Sequence, residues 1–358
     1  MIPYVLVAAV VPLLFGVSER VFRGPKAKGR LRWMLMSPFE LVAVAILMCF
    51  AGLRYRIGTD YDIYSYIFVK LDDSNWPRTI AKSPQETGFT VLSLIIKSIS
   101  DDPHFFFFVM SALTILCTVV GIYLASPSRT ISIATFILLA HYTGPMNTVR
   151  QGLATSVFFL AFVLYSRWKP GAVALALLAC TLHVSAIIAL VIFAVARVVK
   201  PTRSTMLVMV AASGVGASAI ALLPPVQNLL ALFGDRYVFY VHNPHGAGIG
   251  TVLALVFQLT AAFMLLSIPL SSTFLQWSRN IYLFGPVFTV LGFSFLEATR
   301  IAGYFSTVFL ILVPYVFEHF KDRPLVRVTM VVAAIGYFVA DLLNYGGLLP
   351  YQSIFGGV

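Results

Sequence analysis

Long uncharged apolar runs, separated by short polar connections, dominate the sequence. The stretch from Phe105 to Leu124 holds twenty residues without a charge, enough for a helix to cross about 30 Å of hydrocarbon. Comparable runs recur to the end of the chain. Together they predict passes near residues 2–17, 37–53, 103–124, 130–145, 149–166, 171–199, 205–223, 249–270, 280–296, 301–317 and 327–345.

Composition agrees with this pattern. Of the 358 residues, 59% are hydrophobic and 11% charged, against roughly 25% charged in a soluble domain, and the mean hydropathy is +0.90. The sequence therefore predicts an all-α, polytopic membrane protein with 11–12 transmembrane or half-membrane helices. Residues 1–358 form a single integral membrane domain in this interpretation.

Basic residues between the apolar runs predict the orientation. Six Lys/Arg side chains lie between the first two runs, at residues 20–32, and the positive-inside rule assigns them to the cytoplasm. Alternation from there puts sixteen Lys/Arg and four Asp/Glu on the cytoplasmic side, and nine Lys/Arg and ten Asp/Glu outside. The net charge of +11 is then an orientation signal and an anchor to membrane lipid, and we expect no nucleic-acid partner.

Alternation also requires the run 171–199 to enter the membrane and return to the cytoplasmic side, because both its ends are basic. We interpret it as two short passes or a re-entrant hairpin with its tip near Thr181 to Ser185. Both chain termini then face outward. The longest external segments, 54–102 and 224–250, are expected to cover an active site.

The first external segment concentrates polar and aromatic side chains. After Gly58, which permits a turn, Asp60 and Tyr64 would share one face of a short helix. Candidate binding residues here are Arg54, Arg56, Tyr61 and Tyr64. The alternative is a solvated loop with interfacial tyrosines.

Arg150 occupies an unfavourable position for a cation, at the start of an apolar helix where it opposes the dipole. No acidic residue lies within one turn of it in the sequence, so we expect it to bind an anion. Asn147, three residues earlier, faces the same way, and Gln151 follows directly. The alternative is that Arg150 snorkels to the interface.

Three further groups complete the candidate set. His183 lies at the expected hairpin tip, although a histidine in an apolar stretch is also compatible with a hydrogen-bonded core residue. Glu297, Arg300 and Tyr304 are spaced at helical turns, and Glu297–Arg300 is also compatible with a simple surface ion pair. The segment GDRYVFY contributes Arg236, Tyr237 and Tyr240.

Cofactor motifs are absent from the sequence. There is no Walker loop, no GxGxxG after a strand and no HExxH. Asp60-Tyr61-Asp62 is DxD-like, but carboxylates this sparse bind divalent ions weakly. We predict no metal and no cofactor.

Six short motifs follow one another between Arg54 and Phe305, over nearly the whole chain. They are R-x-G-T-D-Y-x-x-Y from Arg56, the loop glutamate Glu86 before an apolar helix, N-x-x-R-Q-x-x-A from Asn147, the histidine in L-H-x-S-A, R-Y-x-x-Y from Arg236, and R-x-x-x-Y-F from Arg300. In this order they resemble the EpsG family of exopolysaccharide polymerases.

The resemblance implies a Wzy-type polymerase in the bacterial cytoplasmic (inner) membrane, similar to lipid-linked, GT-C-like glycosyltransferases. Such an enzyme moves a glycan from undecaprenyl pyrophosphate to a sugar hydroxyl of another lipid-linked repeat, with its site facing outward. A chain-length regulator and a flippase are the implied protein partners. Arg150, Arg300 and Arg236 suit the pyrophosphate, and His183 or Asp60 suits the base. The remaining candidates contact substrate: Arg54, Arg56, Tyr61, Tyr64, Asn147, Gln151, Tyr237, Tyr240 and Tyr304.

Two other classes of protein remain open. A transporter of polysaccharide or lipid-linked repeats would use the same charges, but transporters place their polar groups near the midplane, often in paired halves. A glycan ligase or another lipid-linked sugar transferase would use nearly the same residues.

Overall fold

The computed structural model describes residues 1–22, 36–199, 201–225, 227, 248–344 and 346–357. The helices of the first half are α1 (Ile2–Phe22), α2 (Pro38–Gly52), α3 (Tyr61–Lys70), α4 (Trp76–Lys82), α5 (Thr87–Lys97), α6 (Pro103–Ala125), α7 (Arg129–Leu138), α8 (Gly144–Asn147) and α9 (Val149–Leu164). The later helices are α10 (Lys169–Leu182), α11 (Ser185–Val198), α12 (Arg203–Leu222), α13 (Ile249–Ser267), α14 (Thr273–Tyr282), α15 (Phe284–Leu291), α16 (Leu296–Ser306), α17 (Phe309–His319) and α18 (Pro324–Asn344). The prediction of an all-α polytopic protein is confirmed.

Among the described residues, five helices are long and apolar enough to cross a membrane: α1, α6, α12, α13 and α18. A sixth span is possible if α16 and α17, which are bent by 55° at their junction, count as one. Six shorter apolar helices of 10–17 residues accompany them. The apolar runs are thus divided between full-length and half-length helices.

Local backbone explains why some predicted runs are broken. The run 130–145 stops being helical after Leu138, because Ala140 adopts a positive φ of 60° before α8 begins. The run 171–199 is interrupted at His183, whose φ of −155° and ψ of 128° are extended. A break at the expected hairpin tip is therefore present.

The chain divides into two compact units. The first comprises Met1–Ala186, Val313–Tyr315 and Arg323–Val358. Within it α9 packs against α6 and α10, α2 packs against α1 and α6, and α7 packs against α1 and α18. Gly121 permits the close approach of α6 and α9, because a Cβ there would lie 2.5 Å from the ring of Phe159.

A buried ionic cluster fixes one end of these helices. Ser37 caps α2 and exchanges hydrogen bonds with Glu40, whose carboxylate pairs with Arg129 at 3.4 Å. The Arg129 guanidinium stacks over Tyr123 at 3.5 Å. Glu19 accepts the Arg129 backbone N–H at 2.7 Å and so caps α7. Arg129 therefore has a structural role in this cluster.

The C-terminal segment 346–357 returns to the loop that follows α2. Its two short antiparallel strands are β1 (Gln352–Ser353) and β2 (Gly356–Gly357). The Tyr55 N–H donates to the Gln352 carbonyl at 2.9 Å, and the Gly58 N–H donates to the Gly347 carbonyl at 2.9 Å. The tail therefore covers the turn at residues 54–58.

The second unit comprises Ile187–Leu312 and Val316–Asp322. In it α15 packs against α12, α13 and α16. Two side chains of α14 donate to carbonyls at the end of α11: Trp277 Nε1 to Phe193 at 2.8 Å, and Asn280 Nδ2 to Val199 at 2.8 Å. The Val199 carbonyl lies beyond the last residue of α11, so the Asn280 bond satisfies a carbonyl that the helix end leaves without a partner.

Candidate active site

The turn after α2 lies directly against α8. Gly58 adopts a φ of 99°, and a Cβ at this position would lie 2.4 Å from the Met146 carbonyl oxygen, so only glycine fits. The Thr59 N–H and hydroxyl donate to Asn147 Oδ1 at 2.6 and 3.1 Å. The Asn147 Nδ2 is buried and has no partner within the described part of the chain. Asn147 therefore anchors the turn and retains an unused donor.

Asp60 and Arg56 carry the accessible charges of this turn. Asp60 precedes α3 and is half-buried, and its carboxylate accepts from the Thr59 hydroxyl at 3.4 Å. The Tyr64 N–H donates to the Asp60 carbonyl at 3.0 Å, which places both residues on one turn of helix as predicted. Arg56 is exposed and pairs with Asp62 at 3.2 Å.

Arg54 is buried beneath the turn, with 1% of its surface exposed. Its guanidinium donates to the carbonyls of Ala51, Ile57 (3.3 Å) and Met146 (3.4 Å) and to the Ser111 hydroxyl (2.9 Å). Burial lowers the pKa of Arg54 to about 10, so the side chain stays protonated at neutral pH. These donors brace the loop in the described structure, and a contact between Arg54 and substrate stays a prediction.

The tyrosines of this segment also pack inward. Tyr61 stacks on Phe107 with ring centroids 4.1 Å apart, and Tyr64 meets Phe89 edge-on at 6.0 Å. Both tyrosines are less than a tenth exposed. Burial raises the pKa of Tyr61 to about 12, so it stays protonated. Both rings pack against phenylalanines in the described structure, and a contact between these tyrosines and substrate stays a prediction.

Arg150, on the first turn of α9, has an acidic partner from a distant loop. Its Nη1 donates to Glu86 Oε2 at 2.5 Å and also to Gln85 Oε1. The guanidinium lies 5.7 Å from the centroid of Phe89. Only 9% of the Arg150 side chain and 19% of the Glu86 side chain are exposed. The sequence shows no acidic residue within one turn of Arg150, and its carboxylate partner Glu86 lies 64 residues earlier in the chain.

The Nε of Arg150 is nevertheless buried without a hydrogen-bond partner among the residues that the structure describes. Nη2 likewise makes no hydrogen bond to them. The planar edge formed by Nε and Nη2 is the geometry that matches a carboxylate or a phosphate. Arg150 thus pairs with Glu86 through one nitrogen, and its Nε–Nη2 edge has no partner among the described residues.

His183 lies at the junction of α10 and α11, and Glu86 contacts the backbone of this junction. Glu86 Oε1 accepts the Val184 N–H at 3.1 Å. The His183 Nδ1 accepts the Ser185 N–H at 3.2 Å and lies 2.6 Å from the Ser185 hydroxyl. Since a backbone N–H only donates, a neutral His183 carries its proton on Nε2.

The position of Glu86 follows from local structure. It is the N-cap residue of α5, but its side chain makes no capping bond to its own helix. Gly88, on the first turn, allows α5 to approach α10, because a Cβ there would lie 2.2 Å from Thr181 Oγ1. The carboxylate is therefore directed to Arg150 on α9 and to Val184 at the junction of α10 and α11.

A sequence model of the EpsG family matches residues 39–353, nearly the whole chain. The chain belongs to the EpsG family. Membership supports a polysaccharide polymerase role in exopolysaccharide biosynthesis for this multi-pass membrane protein. No curated protein matches the chain, and no solved structure matches it.

Four of the six EpsG-like motifs meet within the first unit. Thr59 joins the first motif to Asn147 of the third, and Glu86 joins the second motif to Arg150 of the third and to the backbone beside His183. Gln151, also of the third motif, is buried on α9. The sequence had marked these motifs individually but assigned no role to Glu86, Gln85 or Thr59.

The remaining motif residues lie elsewhere. In the second unit Arg300 pairs with Glu297 at 2.8 Å, as the spacing predicts, and Tyr304 is 2% exposed. Arg236, Tyr237 and Tyr240 lie outside the described residues. No group of three His, Cys, Asp or Glu side chains suited to a metal ion occurs within the described ranges.

Proposed function

We propose that this EpsG-family protein is a polymerase of lipid-linked glycans. It transfers a glycan from a polyprenyl pyrophosphate carrier to a sugar hydroxyl of another lipid-linked repeat, at the outer face of the bacterial cytoplasmic membrane. The observation that carries this proposal is the nine-tenths buried guanidinium of Arg150, whose Nε lacks a partner in the described structure. Glu86 links this cation to the His183 junction.

The donor fits the unused edge of Arg150. Leaving a buried N–H without a partner costs about 1–3 kcal/mol, and a phosphate oxygen pair on Nε and Nη2 removes that cost. Two phosphates carry more charge than one arginine neutralises. Arg300 and Arg236 remain candidates for the additional contacts, on the strength of their family motifs alone.

The transfer step balances without a nucleotide. The acceptor hydroxyl oxygen forms a bond to the anomeric carbon of the donor, while the bond between that carbon and the pyrophosphate oxygen breaks. The hydroxyl proton passes to a base, and polyprenyl pyrophosphate leaves. The energy is supplied by the pyrophosphate linkage of the donor.

Asp60 is the stronger of the two candidate bases. Its carboxylate is half-buried, accepts one hydrogen bond and lies beside Thr59, which contacts Asn147 three residues before Arg150. His183 directs its acceptor nitrogen, Nδ1, toward Ser185. His183 therefore remains the second candidate for the base.

A reconstituted assay tests the proposal. Purified protein in detergent, given lipid-linked repeat units, should make longer glycans and release polyprenyl pyrophosphate without nucleotide and with a chelator present. Folded protein that makes no longer glycan in this assay, yet moves the same substrate across sealed vesicles, would identify a transporter instead. Addition of the predicted chain-length regulator should alter the length distribution and leave the reaction itself intact.

A further inference from the structure

The Glu86 side chain contacts the motif of Arg150 and the motif of His183, and it uses one carboxylate oxygen for each. Oε2 accepts from Arg150 Nη1, and Oε1 accepts from the Val184 N–H. A hydrogen bond to an ionised group is shorter and about twice as strong as one between neutral groups. Glu86 therefore ties the start of α9 to the turn that carries His183.

The hydrogen bonds of Arg150 show which of its nitrogen atoms are occupied by contacts with the protein. Nη1 has two hydrogens, and the two acceptors Glu86 and Gln85 account for them. Nε has one hydrogen and is buried with no partner in the described part of the protein. The protein contacts are thus confined to one end of the guanidinium, and they fix the orientation of the other.

We propose that Glu86, assisted by Gln85, is a positioning residue that presents the Nε–Nη2 edge of Arg150 to the substrate phosphate. The inference rests on the proposed function for the identity of that phosphate. The location of the contact argues against a rival role, in which Glu86 merely occupies the anion position until substrate displaces it. A displaceable carboxylate would accept from the Nε–Nη2 edge, whereas Glu86 accepts from Nη1.

Substitution with glutamine isolates this role. Glu86→Gln keeps the size of the side chain but has only one acceptor oxygen, so one of its two partners must face an NH₂ group. With Nη1 no longer held by a charged acceptor, the guanidinium gains rotational freedom, and a bound phosphate must restrict it. Gln85→Ala removes the other acceptor and should have a smaller effect.

The experiment measures binding of inorganic pyrophosphate to the purified full-length protein in detergent by isothermal titration. The variants are Glu86→Gln, Gln85→Ala and Arg150→Lys. The control is Asp101→Asn, which removes an exposed carboxylate that pairs with Lys97 in the same unit. We expect Glu86→Gln to weaken pyrophosphate about tenfold, the scale of one hydrogen bond to a charged group. Gln85→Ala should weaken it less, and Asp101→Asn should leave it unchanged.

A second measurement separates positioning from simple unfolding. Thermal unfolding of Glu86→Gln identifies any loss of stability, and binding is compared only well below its midpoint. In the double variant Glu86→Gln/Arg150→Lys, pyrophosphate affinity should fall little below that of Arg150→Lys alone, because Glu86 acts through the arginine.

Each result has a distinct meaning. Tighter pyrophosphate binding by Glu86→Gln would overturn the inference in favour of a displaceable occupant, since a competing anion would have been removed. Unchanged binding by folded Glu86→Gln would reduce the Arg150–Glu86 pair to a structural contact. If the wild-type protein does not bind pyrophosphate, the donor assignment in the proposed function fails as well.

Discussion

Replacement of Arg150 offers the most informative perturbation of the site. Arg150→Lys keeps the positive charge beside Glu86 but removes the planar edge, because an ammonium cannot offer two parallel donors. We expect the polymerisation rate to fall at least about tenfold, which corresponds to about 1.4 kcal/mol of transition-state stabilisation. A loss of this size is modest for a contact in which two nitrogens donate to one phosphate.

Arg150→Ala should abolish polymerisation, and it should also destabilise the protein. It leaves the carboxylate of Glu86, 19% exposed, without its cation. Removing one partner of a fully buried pair costs about 3–5 kcal/mol, so we expect a smaller penalty, about 1–3 kcal/mol, for this partly exposed glutamate. The free energy of unfolding and the rate of polyprenyl pyrophosphate release report the two effects separately.

The double variant Arg150→Ala/Glu86→Ala distinguishes the two consequences. It removes the uncompensated carboxylate, so part of the lost stability should return, while polymerisation should stay absent. Recovery of both would mean that the arginine serves only to neutralise Glu86. Wild-type rates from folded Arg150→Ala in the reconstituted assay would refute the assignment of Arg150 to the substrate phosphate.

Three further predictions concern the turn after α2 and the topology. Asp60→Asn should lower kcat at least about 100-fold, the lower end of general-base contributions, with pyrophosphate affinity unchanged; a wild-type kcat would exclude Asp60 as the base. Gly58→Ala should lower the melting temperature and the activity, because the added Cβ would clash with the Met146 carbonyl. The matched control is Gly336→Ala, whose Cβ would have nothing within 4 Å. Equal melting temperatures for the two variants would contradict this prediction. A cysteine at position 26, in a background without native cysteines, should resist an impermeant reagent added outside intact cells, and labelling there would reverse the predicted orientation.

Much of the fold could be predicted because membrane helices leave a strong local signal. The apolar runs identify the helices, and the break beside His183 follows from basic residues at both ends of one run. The division of the remaining runs into half-length helices was less predictable. It depends on single residues such as Ala140, whose positive φ is unusual for alanine and has no signature in the sequence.

The candidate site was harder to predict because its contacts are long-range. Arg150 was identified correctly as a cation in an unfavourable position, but its partner Glu86 lies 64 residues away, beyond any argument from helical spacing. The stacking of Tyr61 on Phe107 could not be predicted either, because a tyrosine has the same sequence pattern whether its ring faces a sugar or another side chain. The packing of the C-terminal segment over residues 54–58 could not be predicted, because it depends on backbone hydrogen bonds, which any side chain allows.

Two arginines of the first unit show how a structural cation differs from one prepared for a ligand. Arg54 and Arg150 are both less than a tenth exposed. In Arg54 all three nitrogens donate to protein oxygens, so the arginine completes the fold and has little left to offer. In Arg150 only Nη1 is used, and the described structure leaves the buried Nε without an acceptor. A fold rarely tolerates such a group, because buried donors are almost always matched. The unmatched Nε–Nη2 edge of Arg150 therefore supports the proposed contact with a substrate phosphate, and Glu86 fixes the direction that this edge faces.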